Sequence, residues 1–168
     1  MPKRPVRKLE DPVLRKKAKN VEKIYPLLLH TMEDMLETMY ESVGVGLAGP
    51  QIGISKRTVV IDIGEGPVKL INPKIISKEG SQIGLEGCLS IPGIYGDVDR
   101  AEKVTLKAQN EKGEIIKIEA EGFMARVIQH ELDHLDGVLF IDKATNIRKA
   151  EEIEETESQD SEQPKSVI

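Results

Sequence analysis

The sequence predicts an α+β domain, and three observations indicate this class. Helical hydrophobic periodicity appears early, over residues 24–41, and again late, over residues 123–137. Short runs rich in Val, Ile and Thr lie between these two segments, as is typical of strands. The strict alternation of strand and helix that marks a parallel α/β fold is missing. We therefore expect mainly antiparallel strands between an early and a late helix.

The early helix is predicted from "IYPLLLHTMEDMLETMYE", residues 24–41. Apolar side chains at helical spacing fall on one stripe, and polar side chains fall on the opposite side. The stripe contains Leu28, Met32, Met35, Leu36 and Met39, and the polar side contains His30, Glu33, Asp34, Glu37 and Glu41. His30 is therefore interpreted as a surface residue with no part in the chemistry.

Four strand-like runs follow a glycine-rich bend: "RTVVIDI", "VKLINPKII", "EKVTLKAQN" and "EIIKIEAEG". The segment "NEKGE" between the last two predicts a hairpin turn. The run "FMARVIQHELDHLDG" then returns to helical spacing, and we expect this helix to end at Gly137.

Length and composition indicate one domain, which we place at residues 1–147. No apolar run approaches the roughly 20 residues of a membrane span. The basic opening "MPKRPVRK" is not followed by an apolar stretch, so it does not resemble a secretion signal. Cys88 is the only cysteine, which excludes an internal disulfide and agrees with a reducing compartment. We expect a cytoplasmic protein without a membrane partner.

The negative charge is concentrated at the carboxy terminus. The formal net charge is -5, and -4 of it lies from Ala144 onward. Residues 148–168 are interpreted as an acidic tail, solvated or disordered beyond its start, while "KATNIRKAEEIEE" is compatible with a helix. Because no basic face outweighs the acidic residues, we expect no direct nucleic-acid binding.

The motif "QHELDH", residues 129–134, predicts a metal site. His130 and His134 lie one helical turn apart, about 40° around the axis and about 6 Å along it, so both imidazoles reach one point. Glu131 lies close enough to contact a water on an ion held there. The alternative is a helix that carries these polar residues by chance.

A catalytic metal usually has three protein ligands and one open position, so the third ligand decides between the interpretations. One protease group places a histidine ten residues after the first, where this chain has Phe140. Another uses a downstream glutamate, but the candidates beyond Asp142 lie in the acidic tail. The better candidate is Cys88 in "EGCLSIPG", although a lone cysteine is often only a small buried core residue. A Cys/His/His set would accept iron, cobalt, nickel or zinc.

The segment "GVGLAGPQIG", residues 44–53, contains a G-x-G-x-x-G pattern. A dinucleotide loop must follow a strand and open a helix, whereas this segment follows an amphipathic helix and runs into Pro50. The glycines more plausibly let the backbone approach a ligand, beside which Gln51 offers an amide donor.

Together, "GVGLAGPQIG", "EGCLS" and "QHELDHLDG" resemble the three signature motifs of the peptide deformylases. The resemblance covers roughly residues 5–143, including "DPVLRKKAKNV", "INPKI" and "GVLFID". It implies a peptide-deformylase-like fold, with antiparallel or mixed sheets around a central metal-binding helix, an N-terminal amphipathic helix and a C-terminal extension.

Two positions depart from the family pattern. Gly49 stands where family members generally have alanine, which puts the local rigidity in question. Tyr95 stands where some members have an arginine that pairs with the motif glutamate. Glu86 must then pair with another group, for which Arg100 is the candidate, or stay partly solvated.

The resemblance implies removal of the N-formyl group from the formyl-methionine of new proteins, with release of formate. Cys88, His130 and His134 would hold one divalent metal ion per chain, ferrous iron in the cell, with zinc, nickel and cobalt as alternatives. Glu131 would take the proton of the attacking water. Gln51 and the backbone N–H of Leu89 would stabilise the oxyanion.

The substrate side is predicted from the same resemblance and from helix geometry. Phe123 and Val127 lie on the same side of the late helix as His130 and form an apolar wall for methionine. Family members bind the peptide backbone at the positions of Val45, Gly46 and Gly87. Two alternatives are a small metallopeptidase of the His-Glu-x-x-His type and a non-catalytic metal-binding module.

Some family members dock on the ribosome through basic residues of a carboxy-terminal helix. The tail of this chain is acidic beyond Lys149, so we expect no docking of that kind. Transient association with the ribosome by another route stays open.

Overall fold

The computed structural model describes residues 4–151 and Ile168. Within these residues the fold has two α-helices and eight strands, arranged in two antiparallel sheets. The helices are α1 (Pro26–Glu41) and α2 (Gly122–Leu135). The strands are β1 (Gly46–Ala48), β2 (Thr58–Ile61), β3 (Val68–Glu79), β4 (Gln82–Cys88), β5 (Ile91–Arg100), β6 (Lys103–Gln109), β7 (Ile115–Glu121) and β8 (Thr145–Lys149). Short 3₁₀ turns occupy Pro12–Arg15, Gly49–Ile52 and Phe140–Asp142. The predicted α+β class is confirmed.

The five-stranded sheet, in the order β1-β2-β3-β6-β7, separates the two helices. Successive side chains of a strand point to opposite faces. Along β2, Val59 and Ile61 join the apolar cluster that contains the α2 side chains, whereas Val60 joins the cluster of α1. The two helices therefore pack on opposite faces of this sheet. The predicted hairpin between β6 and β7 is confirmed, with Gln109 paired to Ile115.

Helix α1 buries the predicted stripe and begins at Pro26, whose fixed φ suits the first helical position. His30 is exposed, as expected. Asp34 is the exception to the predicted polar side, because its side chain is buried and accepts a hydrogen bond from Arg4 Nε at 3.2 Å. The amino-terminal segment thus covers one end of the polar side, which the helical periodicity does not show.

The second sheet has the order β4-β5-β8, and none of its strands was among the predicted runs. Glycines at positions 84, 87, 93 and 96 interrupt the alternation of β4 and β5. Cys88 is the last residue of strand β4, so it does not lie in an open loop.

The helix considered over "KATNIRKAEEIEE" is wrong for residues 145–149, which form strand β8 on the edge of β5. Arg148 and Asn146 both contact the Asp97 carboxylate of β5, which holds the segment extended. In the described part of this segment, Ala150 and Glu151 have helical backbone, and residues 152–167 lie outside the described residues.

Helix α2 lies between the two sheets. Its apolar side packs on the five-stranded sheet through Ala125, Ile128 and Leu135, while its histidines approach Cys88 of β4. The chain turns away at Gly137, whose φ of 74° is the left-handed conformation that ends many helices, so the predicted end is confirmed. No helix within residues 4–151 is both long and apolar enough to cross a membrane.

Candidate metal centre and active site

Strand β4 and helix α2 bring the three predicted ligands together. The ligand atoms of Cys88, His130 and His134 all lie within 4.8 Å of one another, and all three side chains are buried. Cys88 Sγ is 3.4 Å from His134 Nε2. Bond lengths of about 2.3 Å to sulfur and about 2.1 Å to nitrogen at a tetrahedral ion would place these two atoms about 3.5 Å apart. Cys88 belongs to a buried apolar cluster with Leu14 and Phe140, and its sulfur also faces the imidazole of His134.

Unpartnered polar atoms lie in and beside this site. Among the described residues, His130 Nε2 and both carboxylate oxygens of Glu131 are buried without a hydrogen-bond partner, and so is His134 Nδ1, the ring nitrogen opposite the Nε2 that faces Cys88. Buried polar atoms are normally satisfied, because leaving one unpaired costs about 1–3 kcal/mol. A thiol, two imidazoles and a nearby carboxylate are donors that suit a borderline-soft divalent cation. The residues present therefore fit a bound metal ion.

Burial sets the charge state of the candidate ligands. Burial, and then the charge of Glu131, raises the pKa of the Cys88 thiol to about 12, although hydrogen bonds from Ser90 and Ile91 oppose this shift. Burial, and then the proximity of His130, lowers the pKa of His134 well below its usual value, so its imidazole is neutral. A neutral imidazole is the form that binds metals, and a coordinating cation would itself stabilise the thiolate.

Glu131 is completely buried beside the ligands. Burial, followed by the charge of Glu86, raises the pKa of the Glu131 carboxyl well above its usual value. Its Oε1 lies 3.8 Å from His130 Nε2, on the side where the ligand atoms converge. A carboxyl group in this position is able to exchange a proton with a water held at the same point.

Glu86 of β4 orients His130 from behind. Its Oε1 accepts hydrogen bonds from His130 Nδ1 at 2.8 Å and Arg100 Nη2 at 2.9 Å, and its Oε2 accepts from Arg100 Nε at 2.9 Å and Arg126 Nη1 at 2.6 Å. Burial would raise the pKa of Glu86, but the hydrogen bonds from Arg100 and His130 hold it well below its usual range. The expected pairing with Arg100 is confirmed, and the partly solvated alternative is wrong. With Nδ1 donating to Glu86, His130 keeps its Nε2 lone pair for a metal.

Arg126 and Ser90 also belong to the site, although no motif in the sequence pointed to them. Arg126 lies four residues before His130, on the same helical face, and contacts Glu86. A charged residue one turn from a candidate ligand, inside the otherwise apolar run "FMARVI", was the available signal. Ser90 donates to Cys88 and is hydrogen bonded by Gln51, contacts that no spacing in the sequence indicates.

Gln51 and Leu89 both lie beside Cys88. The 3₁₀ turn Gly49–Ile52 buries Gln51, whose Oε1 accepts from the Ala48 N–H at 3.0 Å. Its Nε2 donates to Ser90 Oγ at 3.2 Å and lies 3.6 Å from Cys88 Sγ. Leu89 follows Cys88 directly, and both residues line a cavity of about 310 Å³. The Gln51 amide is therefore held in one orientation next to the candidate metal site.

One of the predicted backbone-binding residues, Gly46, lies beside Glu131. A Cβ atom at Gly46 would lie 2.9 Å from Glu131 Cγ and 3.1 Å from Val127 Cγ1, so only glycine fits there. Val45 precedes it and is half-buried. At Gly87 a Cβ atom would lie 2.6 Å from the Tyr95 ring, so this tyrosine packs over the β4 backbone.

The two residues of the predicted apolar wall are not equally buried. Val127 is fully buried against Gly46, whereas Phe123, one turn further from His130, is 37% exposed. Phe123 lines a surface cavity with Ile63 and Met124. Within the described residues, neither Val127 nor the candidate ligands line this cavity, so the shared wall stays a prediction.

Ile168 lies beside Gly87 and in the apolar cluster of Val127. Its backbone N–H donates to the Gly87 carbonyl at 3.3 Å, and its side chain is fully buried in the same apolar cluster as Val127. The region beside Gly87 therefore accommodates a main-chain donor together with an aliphatic side chain.

Gly49 has a local structural explanation. A Cβ atom there would lie 2.7 Å from the Lys56 carbonyl oxygen and 2.8 Å from both the Ile54 oxygen and Thr58 Oγ1. In this chain the segment after the turn approaches too closely for a methyl group, so the glycine is part of a tightly packed contact.

Comparison with known proteins identifies the family. A family model described as "Polypeptide deformylase" matches residues 3–150. The peptide deformylase of Caldicellulosiruptor bescii is 52% identical over 155 residues, which are 92% of this chain and 93% of that protein. Peptide deformylase 1 of Clostridium acetobutylicum is 59% identical over 140 residues, 83% of this chain and 93% of that protein.

Solved structures of peptide deformylases are also similar to this chain. The crystal structure of the peptide deformylase from Thermotoga maritima has a TM-score of 0.85 at 48% identity and covers 86% of this chain and 99% of that one. The Synechococcus elongatus peptide deformylase, solved in complex with actinonin, has a TM-score of 0.84 at 43% identity and covers 100% of this chain and 91% of that one.

Phe140, whose ring centroid is 6.1 Å from that of His130, stands where one protease group has its third histidine. The metallopeptidase alternative fails because the matching family model and the relatives are peptide deformylases. The binding-module alternative fails because the relatives are enzymes over nearly their whole length. The chain therefore belongs to the peptide deformylase family, the metal-dependent hydrolases that remove the N-formyl group from the formyl-methionine of newly synthesised proteins and release formate.

Proposed function

We propose that Cys88, His130 and His134 bind one divalent ion and that this ion is ferrous iron in the cell, with zinc, nickel or cobalt as working substitutes. The ligand-atom separations and the unpartnered Nε2 of His130 support this ligand set. When bound, the ion supplies the Lewis acidity that makes water a nucleophile near neutral pH.

Glu131 is the proton carrier in this proposal. It takes the proton of the attacking water and later delivers one to the leaving amine of the peptide. Support comes from its complete burial beside the ligands and from its two oxygens, which have no other partner among the described residues.

Gln51 Nε2 and the backbone N–H of Leu89 donate to the oxyanion that develops on the formyl carbonyl. Losing one such donor typically costs about 3 kcal/mol of barrier stabilisation. Support comes from the contacts that fix the Gln51 amide at Ala48 and Ser90 before any substrate binds. A donor that needs no reorientation is the more effective one.

The methionine side chain packs against Val127, with Phe123 at the outer end of the wall. The peptide backbone pairs in an extended manner with Val45, Gly46 and Gly87. The arrangement of Ile168 supports this binding mode, because it combines a donor to the Gly87 oxygen with an aliphatic side chain in the adjoining apolar cluster.

In the cell, we place residues 1–147 as one catalytic domain in the cytoplasm, where it meets nascent chains transiently at the ribosome. The acidic tail, residues 148–168, does not dock on RNA phosphates. Co-sedimentation with ribosomes tests this, since a form truncated after residue 147 is expected to sediment like the full chain. A large loss on truncation would refute it.

The ligand assignment is tested on protein prepared without oxygen, because a thiolate-bound ferrous centre is prone to oxidation. Bound metal and formate release from a formyl-methionyl tripeptide are measured for His134→Ala and for His30→Ala, the exposed histidine that serves as control. We expect the first variant to lose both properties and the second to keep both. Stoichiometric metal and full turnover in His134→Ala would refute the proposed ligand set.

A further inference from the structure

We propose that Arg126 is a positioning residue for the metal site, acting through Glu86 to hold the His130 imidazole in its metal-binding orientation. The inference rests on the ligand set proposed above. It concerns a residue of α2 whose side-chain hydrogen bonds go to Glu86 and to backbone carbonyls of Gln82, Gly84 and Val98.

The Arg126 guanidinium is buried and fixed on several acceptors. Nη1 donates to Glu86 Oε2 at 2.6 Å and to the Val98 carbonyl at 3.0 Å, while Nη2 donates to the Gln82 carbonyl at 2.9 Å. The planar, rigid guanidinium converts this set of bonds into a defined position for its anionic partner. The contact with Oε2 is the shortest of the four hydrogen bonds that Glu86 accepts.

Strand β4 leaves space for this side chain. A Cβ atom at Gly84 would lie 2.9 Å from Arg126 Nη2 and 3.0 Å from its Cζ. Any larger residue at this position would displace the guanidinium. Gly84 therefore provides a second way to disturb the contact without removing the charge.

Arg100 does not make Arg126 redundant. Arg100 also binds Asp133 at 2.6 Å, and Asp133 in turn binds Lys143 at 2.9 Å near the surface. Within residues 4–151, Arg126 has its ion pair with Glu86 alone. Without Arg126, the position of the Glu86 carboxylate depends on the two Arg100 bonds alone, and Asp133 also draws on Arg100, so the bond from His130 Nδ1 to Glu86 loosens. Partners of this kind typically change metal affinity by about 10- to 100-fold.

The test compares Arg126→Met with Arg57→Met. Arg57 is a matched control, because its guanidinium also donates to two backbone carbonyls, those of Ala18 and Leu135, and to one carboxylate, that of Asp136. Cobalt(II) affinity is measured by competition with a chelator, with the thiolate-to-cobalt absorption as the signal. We expect Arg126→Met to bind cobalt about 10- to 100-fold more weakly than wild type. Arg57→Met is expected to lose thermal stability and keep wild-type affinity.

A second readout reports the orientation directly. In the zinc-loaded protein, the proton on His130 Nδ1, which is hydrogen bonded to Glu86, gives an NMR signal. This signal is expected to shift or broaden in Arg126→Met and to stay unchanged in Arg57→Met. If Arg126→Met does not fold, Gly84→Ala decides, with a smaller loss of cobalt affinity expected.

Affinity within threefold of wild type in whichever of these variants folds would overturn the inference, as would an equal loss in Arg57→Met. A wild-type protein that binds no cobalt through Cys88 would instead refute the proposed ligand set.

Discussion

Glu131→Gln tests whether the two fully buried glutamates of the site have different roles. Glu131 and Glu86 are both 0% exposed. Glu131 has no hydrogen-bond partner among the described residues, whereas Glu86 accepts hydrogen bonds from two guanidiniums and an imidazole. The same isosteric change, glutamate to glutamine, is therefore expected to lower turnover at position 131 and to lower stability at position 86.

The magnitudes follow from these contacts. Glu131→Gln removes no hydrogen bond within the described residues, so the free energy of unfolding should change by less than about 1 kcal/mol. Turnover should fall by about 10²- to 10⁴-fold, because glutamine cannot carry the proton. Glu86→Gln removes the negative charge between two buried arginines, and breaking a buried pair in this way costs about 3–5 kcal/mol.

The assay is formate release from a formyl-methionyl tripeptide by anaerobically prepared protein, combined with denaturant unfolding of both variants and wild type. Bound metal is quantified in each sample, so that loss of turnover is not confused with loss of the ion. More than a tenth of wild-type turnover in metal-loaded Glu131→Gln would refute the proton-carrier role. A destabilisation as large as that of Glu86→Gln would refute the structural reasoning.

Two further predictions concern residues outside the ligand set. Gly49→Ala should destabilise the protein by about 1–3 kcal/mol, because the new methyl group would lie 2.7 Å from the Lys56 carbonyl oxygen. Denaturant unfolding measures this loss, and an unchanged unfolding midpoint would contradict the prediction. The hydrogen bond that Tyr40 donates to Asp62, together with burial, raises the pKa of the Tyr40 phenol from 10.0 to about 12. This bond stabilises the fold fully below pH 10, and its contribution disappears as the pH rises to 12. The difference in melting temperature between wild type and Tyr40→Phe should therefore shrink over that range. A constant difference would exclude the Tyr40–Asp62 bond as its cause.

Regular spacing accounts for the parts of the fold that the sequence predicted well. The stripe of α1, the β6–β7 hairpin and the end of α2 at Gly137 depend on neighbouring residues and on the φ that glycine permits. Strands β4 and β5 were harder to predict, because their glycines interrupt the alternation of apolar and polar residues. These glycines allow close approaches, such as that of Gly87 to the Tyr95 ring. Strand β8 depended on an available sheet edge, so its local sequence was compatible with a helix as well.

By itself, the sequence determined that His130 and His134 share a helical face and that Cys88 is the only thiol able to join them, because helical geometry and chemistry leave few other candidates. Only the tertiary structure decided that Cys88 Sγ meets His134 at 3.4 Å and that Glu86 receives Arg126 as well as Arg100. The contacts of Cys88 with His134 and of Glu86 with Arg126 join residues 46 and 40 positions apart in the chain, because side chains of β4 meet those of α2. Such distances are set by how sheets and helices fill a common core, which local spacing does not encode.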